Sequence, residues 1–310
     1  MLRYAFRRFM ELIPTTVGIL LLSFLLFHVV GGSPAKAVLG KNATAEAVAA
    51  FNHRYGYDKP LILSRDSQFV NYMKNLVKGD FGESTEYGEP VADILKRGVG
   101  PSLSLTVPIL FVGTLASLGL ALLAAAWRGR FLDRAILVFS TVLMSVNYVV
   151  WVLAGQFILA YKCGFFPIWG YENWVYLVLP VAIGVFSSLG TDVRFFRTAF
   201  LDEIYRPYVR TAQAKGLKRW TILVKHVLRN ALIPVVTYIS LSIPFLFTGS
   251  LLLESFFGIP GLGSVSLNAI HSSDMAVVRA VVVLGALLYQ FVNLATDLAY
   301  AALDPRVRLG

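Results

Sequence analysis

The chain has 310 residues, of which 56% are apolar and only 15% charged, with a formal net charge of +10 and a mean hydropathy of +0.66. A water-soluble globule of this size needs more polar surface than that to cover its core, which excludes an ordinary soluble enzyme or binding domain. No soluble basic domain is present to carry the positive charge, so a nucleic-acid partner is not expected.

Hydrocarbon about 30 Å thick takes roughly 20 apolar helical residues to cross. Six charge-free stretches approach or exceed that length, at residues 12–30, 98–127, 135–161, 173–191, 230–253 and 280–296. The first follows Arg3, Arg7 and Arg8, and Ala35, Lys36 and Ala37 resemble a cleavage site. Its apolar run is longer than the 7 to 15 residues usual for a secretory signal, so it is read as a retained helix, residues 1–31. The last stretch is the shortest and is expected to continue past Asp297 to about residue 303.

Residues 32–100 form a polar insert in which helices are predicted at 45–55, ended near Gly56, at 66–77 with Gly79 behind it, and at 90–97. The expectation is a small folded domain outside the cytoplasm. Residues 101–303 then supply five spans, and 304–310 a cytoplasmic tail. Prolines 101, 108, 180, 234 and 244 fall in or near the spans, and small residues from Gly113 to Ala126 allow close helix approach. Residues 254–279 interleave apolar residues with turn formers, which suggests a short re-entrant or interfacial segment.

Orientation follows from the basic residues of the short loops, which resist translocation. With the N-terminus inside, the cytoplasmic segments hold seventeen Lys and Arg against two, Lys162 and Arg279, on the other face. The insert is too long for the rule, and its nine basic and eight acidic residues nearly cancel.

Residues 192–230 are the most informative. Asp202 and Glu203 are expected to open a helix, since carboxylates suit an N-terminus. Residues 208–215 make about two turns, Gly216 supplies the left-handed residue at which a helix stops, and helix resumes at 218–230. Trp220, Leu223 and Val227 then share one face. Two short helices hinged at a glycine suit docking to another protein, while nine basic residues against three acidic ones suit anchoring to anionic lipid equally well.

Polar groups inside spans are costly, so Asn147, Gln156, Gln290 and Asn293 either line a pathway or hydrogen-bond between helices. Asp297 pairs structurally or serves transport. His28, His53, His226 and His271 are scattered without metal-ligand spacing, and Cys163 carries no redox signature. No paired carboxylates or Ser/His constellation of an enzyme site appear. A gradient-driven transporter would bury several carboxylates at mid-membrane, so it is the weaker alternative.

The run from Tyr208 to Leu217 (YVRTAQAKGL), followed by His226 to Val236 (HVLRNALIPVV), strongly resembles the cytoplasmic signature of permeases in the dipeptide, oligopeptide and nickel ABC importer family. Further segments resemble that family in the same order: Arg54 to Pro60, Gly79 to Ser84, Pro260 to Gly263, and Asn293 to Arg306. The resemblance spans essentially the whole chain. It implies an all-α polytopic protein with six spans and the type I ABC importer permease fold, in a prokaryotic inner membrane with both termini cytoplasmic.

The resemblance further implies that residues 192–230 correspond to the loop that fits a groove in an ATP-binding subunit. Ala212 and Gly216 match that motif's alanine and glycine, and Leu228 its later leucine. Arg210 stands where the general motif has glutamate, and Arg229 where it has proline, as in the peptide branch. The candidate coupling residues are Tyr208, Arg210, Thr211, Ala212, Ala214, Lys215, Gly216, Leu217, His226, Leu228 and Arg229. The implied partners are a second homologous permease subunit, two ATP-binding cassette subunits, an extracytoplasmic substrate-binding protein and membrane lipid. The chain has no GxxxxGK[ST] loop, so ATP and Mg are expected on partner subunits and no cofactor or metal on this one. The implied cargo is di- or oligopeptides, with a nickel or other metal chelate, or another small solute, as the alternative.

Overall fold

Long apolar runs that must satisfy every backbone group internally become helices. The computed structural model describes residues 2–303 except 31–34, 36–38, 41–42, 56, 63, 65 and 249, and among the described residues it contains helices and no strand longer than one bridge. The expected stop at Gly56 and the tail with Arg306 and Arg308 lie outside the described residues.

In chain order the helices are α1 (Leu2–Val30), α2 (Ala45–Tyr55), α3 (Gln68–Val77), α4 (Val91–Ala126), α5 (Phe131–Ser145), α6 (Tyr148–Gly155), α7 (Val175–Ile204), α8 (Pro207–Ala214), α9 (Leu228–Thr248), α10 (Leu251–Phe257), α11 (Leu262–His271) and α12 (Met275–Leu303). Wider π turns follow α6 at Gln156–Lys162 and precede α9 at Ile222–Val227. Among the described residues, five helices are long and apolar enough to cross a membrane, and a sixth crossing results if the bent pair α5 and α6 counts as one span. Large apolar side chains such as Leu22, Phe111, Val138, Ile233 and Phe291 stand exposed on these helices. That costs nothing in a lipid solvent.

Four expectations change. The helix expected at 90–97 and the second span are one 36-residue helix, α4, despite Gly98, Gly100 and Pro101. The span at 135–161 is broken by a 92° bend, because Val146 is extended and the Asn147 side chain caps α6 by accepting from Val149 N at 2.9 Å. Helix α9 ends by Thr248 and Ser250 is extended ahead of α10, which divides the stretch at 230–253. Asp202 and Glu203 close α7 rather than opening a helix: α7 continues through the polar residues after Thr191 because Asp192 and Arg197 find partners on neighbouring helices.

The chain divides into two compact units, residues 1–100 with 261–310, and residues 101–260. In the first, α1 packs along α12, and Thr16 Oγ1 donates to Gln290 Oε1 at 2.5 Å. Helix α3 is capped by Ser67, whose hydroxyl accepts from Val70 N. Phe24 packs edge to face on Phe69 and tilted against Tyr72, with the Arg279 guanidinium 5.0 Å over the Tyr72 ring. Asp274 is fully buried at the start of α12, accepting from Val277 N and from Ser84 Oγ at 2.5 Å. Residues 79–84 are thereby tied to the α11–α12 turn.

The second unit has two cores. One gathers α4, α5, α7 and the 209–235 segment around Phe196, Phe200, Val209 and Val227; the other gathers Leu105, Val152, Leu179, Phe257 and Ile259. Glu254, wholly buried, accepts from Ser102 Oγ at 2.8 Å and from Ser250 N at 3.0 Å. Asp133 on α5 receives both arms of Arg197 on α7, at 2.7 and 2.8 Å, and Gly129 N at 2.8 Å. With Asp133 4% and Arg197 16% exposed, truncating one partner strands a charge. Asp133→Ala is expected to cost about 3 kcal/mol, read as a lower melting temperature in detergent. Asp133→Leu combined with Arg197→Met should lie closer to wild type than either single change, and equal losses in all three would contradict the pairing.

Candidate functional site

Two features of the second unit carry chemistry, an exposed elbow and a slot between helices. Pro207 opens α8, where its fixed φ and missing N–H suit the first turn. The helix ends in a Schellman arrangement: Leu217 N donates to Ala212 O at 3.3 Å and Gly216 N to Gln213 O at 2.9 Å, with Gly216 at φ +75°. A Cβ at Gly216 would meet nothing within 4 Å, so only backbone conformation demands glycine there.

The expected left-handed helix stop at Gly216 is therefore present, and the two faces of the segment around it differ sharply. Val209, Ala212, Ile222, Leu223 and Val227 are buried, whereas residues 213–221 are exposed without interruption. Trp220 departs from expectation. It does not share the buried face of Leu223 and Val227 but is 49% exposed, its ring 6.3 Å from that of Trp127. The π turn beginning at Ile222 changes the spacing on which an α-helical face depends.

Of the candidate coupling residues, Arg210, Thr211, Ala214, Lys215, Gly216, Leu217 and Arg229 are exposed, Tyr208, His226 and Leu228 are half-buried, and Ala212 is buried in the core. Tyr208 Oη donates to Glu203 Oε2 at 2.7 Å, tying α8 to the end of α7. Burial, and then Glu203, push the Tyr208 phenol above its ordinary value, so it stays a donor. With Arg206, Arg210, Lys215, Lys218 and Arg219 around the exposed Leu217 and Trp220, the elbow offers an apolar tip in a basic surround.

The slot, about 330 Å³ in volume, runs between α4, α7 and α9. Gly184, Ser188, Asp192 and Phe196 line it at four-residue intervals, one stripe about 18 Å long on α7. Thr106, Ile109, Leu110 and Thr114 face it from α4, and Tyr238, Ile239 and Ser242 from α9. Gly184 sets the width, because a Cβ there would lie 2.5 Å from Ile109 Cδ1. Tyr238 Oη donates to Asp192 Oδ1 at 2.9 Å.

None of the four pathway candidates lines this slot. Asn147 caps α6, and Gln156 Nε2 donates to Ile168 O and Phe256 O at 2.9 and 2.8 Å. Gln290, with Thr16, and the half-buried Asn293 belong to the other unit. Sequence reasoning passed over Asp192 and Tyr238 because the carboxylate was assigned to the loop. The four-residue stripe through Gly184, Ser188 and Asp192 was the signal that could have found them.

Comparison with known proteins places this architecture. Residues 117–309 match the model of the binding-protein-dependent transport system inner membrane component, and residues 1–98 that of the N-terminal part of the membrane component of such systems. The chain is 33% identical over 311 residues to the glutathione transport system permease protein GsiC of Shigella flexneri serotype 5b (strain 8401), 33% over 310 to that of Escherichia coli (strain K12), and 33% over 308 to that of Salmonella typhi, with 99% of each chain covered in all three. Spans, signature residues and full-length relatives agree, and the chain belongs to the binding-protein-dependent transport system inner membrane components, the permease subunits of ABC importers.

Proposed function

We propose that this permease subunit forms half of a pathway for small peptides and that residues 192–230 couple it to an ATPase. It is a transporter subunit rather than an enzyme, embedded in the inner membrane as a multi-pass protein. The peptide reading rests on the run from Tyr208 to Leu217, which has the form of the peptide branch, and on relatives named for glutathione, itself a small peptide. A second homologous permease, two ATP-binding cassette subunits carrying ATP and Mg, and an external binding protein complete the machine. Membrane lipid surrounds it.

The observation that carries the coupling reading is the continuous exposure of residues 213–221 after a glycine-closed helix. A rigid short helix with an apolar tip, Leu217 and Trp220, fits a groove on a partner, and the surrounding cations orient it. For ATP to do work, the elbow must contact its partner differently in the two states of the cycle. The orientation that serves this mechanism puts the elbow and both termini in the cytoplasm, with residues 32–100 outside.

Import of radiolabelled di- and tripeptides by the complete complex in proteoliposomes tests the reading. ATP-dependent uptake supports it, while uptake of only a metal chelate, or uptake driven by an ion gradient without ATP, rejects it. At Gly216, a left-handed backbone costs an alanine about 1 kcal/mol and a β-branched residue more, whereas asparagine tolerates it. Peptide imported per ATP hydrolysed is therefore expected to fall in the order wild type, Gly216→Asn, Gly216→Ala, Gly216→Val. An unchanged ratio in Gly216→Val would remove the hinge from the mechanism.

Topology has a direct test, since Cys163 is exposed and is the chain's one cysteine. A membrane-impermeant maleimide should label Cys163 in intact spheroplasts. In a Cys163→Ser background, Leu217→Cys should react only after permeabilisation. The reverse pattern would invert the chain.

A further inference from the structure

We infer that the slot between α4, α7 and α9 is a subsite for an ammonium group, with the Asp192 carboxylate as its counter-charge, so that the amino end of the cargo engages α7 during passage. This deepens the peptide reading and rests on it.

A carboxylate in a membrane-spanning helix is costly unless it is paired, and it marks a functional site by default. Asp192 is half-buried, and its described hydrogen bonding comes from neutral hydroxyls, Tyr238 Oη at 2.9 Å with Ser188 sharing. Of the cations on its own helix, Arg197 grips Asp133, and the exposed Arg194 lies with Nη1 3.8 Å from Met144 Sδ. None of the residues lining the slot is basic. An ionised carboxyl accepts about four hydrogen bonds, so Asp192 has capacity left for a charged donor.

The walls favour the same kind of ligand. Phe196 and Tyr238 both line the slot and pack edge to face, centroids 5.8 Å apart, while Phe195 stacks on the far side of the cluster at 4.6 Å from Tyr238. With no basic group in the lining, a cargo carboxylate finds no partner here, and the amino end enters the slot by exclusion. A volume of about 330 Å³ lies at the small end of ligand sites and admits the leading residue or two of a peptide rather than a folded chain.

The experiment compares leucyl-leucine with N-acetyl-leucyl-leucine, in which a larger neutral amide replaces the ammonium; the Asp192 variants separate the loss of charge from the added bulk. Binding of each to the complete importer without the external binding protein is measured by equilibrium dialysis, so that the binding protein's preference does not enter. Wild type is expected to hold the free-amine peptide at least tenfold more tightly, the size of a charge-assisted hydrogen bond. Asp192→Asn should bring the two peptides to equal affinity and Asp192→Glu should keep the preference. A wild-type complex that prefers neither form overturns the inference without any variant, and so does an Asp192→Asn complex that keeps the wild-type ratio. Uptake by the wild-type complex with its binding protein, run in parallel, separates the two failures. Import of peptide by a complex that shows no amine preference in dialysis sinks the subsite alone, whereas import of no peptide sinks the cargo reading and the subsite together.

Discussion

The bidentate grip of Arg197 on Asp133 is the interaction on which the second unit depends. Without a partner for its guanidinium, α7 would have to end where its apolar run ends, near Thr191. Instead the helix continues for more than three further turns, to Ile204, and delivers α8 at a fixed place. The same pair anchors the start of α5, since Gly129 N completes the coordination of the carboxylate. Polar satisfaction inside an apolar bundle therefore sets where the chain leaves the bundle. Glu254 with Ser102, and Asp274 with Ser84, repeat the pattern within their own units, each a buried carboxylate holding a hydroxyl from a distant stretch of chain.

Residues whose role is local were readable in advance. The apolar runs announce the spans, and Gly216 announces its positive φ, because only the residues on either side of it decide whether a helix ends there. Pairings across the fold were hidden. Nothing near Asp133 in the chain hints at Arg197, sixty-four residues on, and nothing near Asp192 hints at Tyr238. Those partners are set by how helices pack, and the period of a single helix does not encode packing between helices. This is why Asp202 and Glu203 were expected at the start of a helix they in fact close.

The bend at Val146 shows the same limit from the other side. Residues 135–161 are charge-free and predominantly apolar, and hydropathy alone joins them into one rod. What breaks the rod is a side-chain competition: Asn147 offers its carbonyl to Val149 N, giving the backbone an alternative to helical continuation. The cue was Asn147, a strong helix-capping side chain in a mostly apolar stretch, and it caps a helix instead of facing a pathway.

Helix α7 lines the slot with its middle turns and reaches the elbow with its last. A 30-residue helix does not bend at every joint the way a loop does, so it behaves as an axle seated in two bearings. A twist of about twenty degrees applied at its foot would swing a side chain that sits about 6 Å from the axis through about 2 Å. Such a displacement is comparable to the difference between a hydrogen bond and none. Rotation of such a rod would move the side chains lining the slot without any rearrangement of the helices around it.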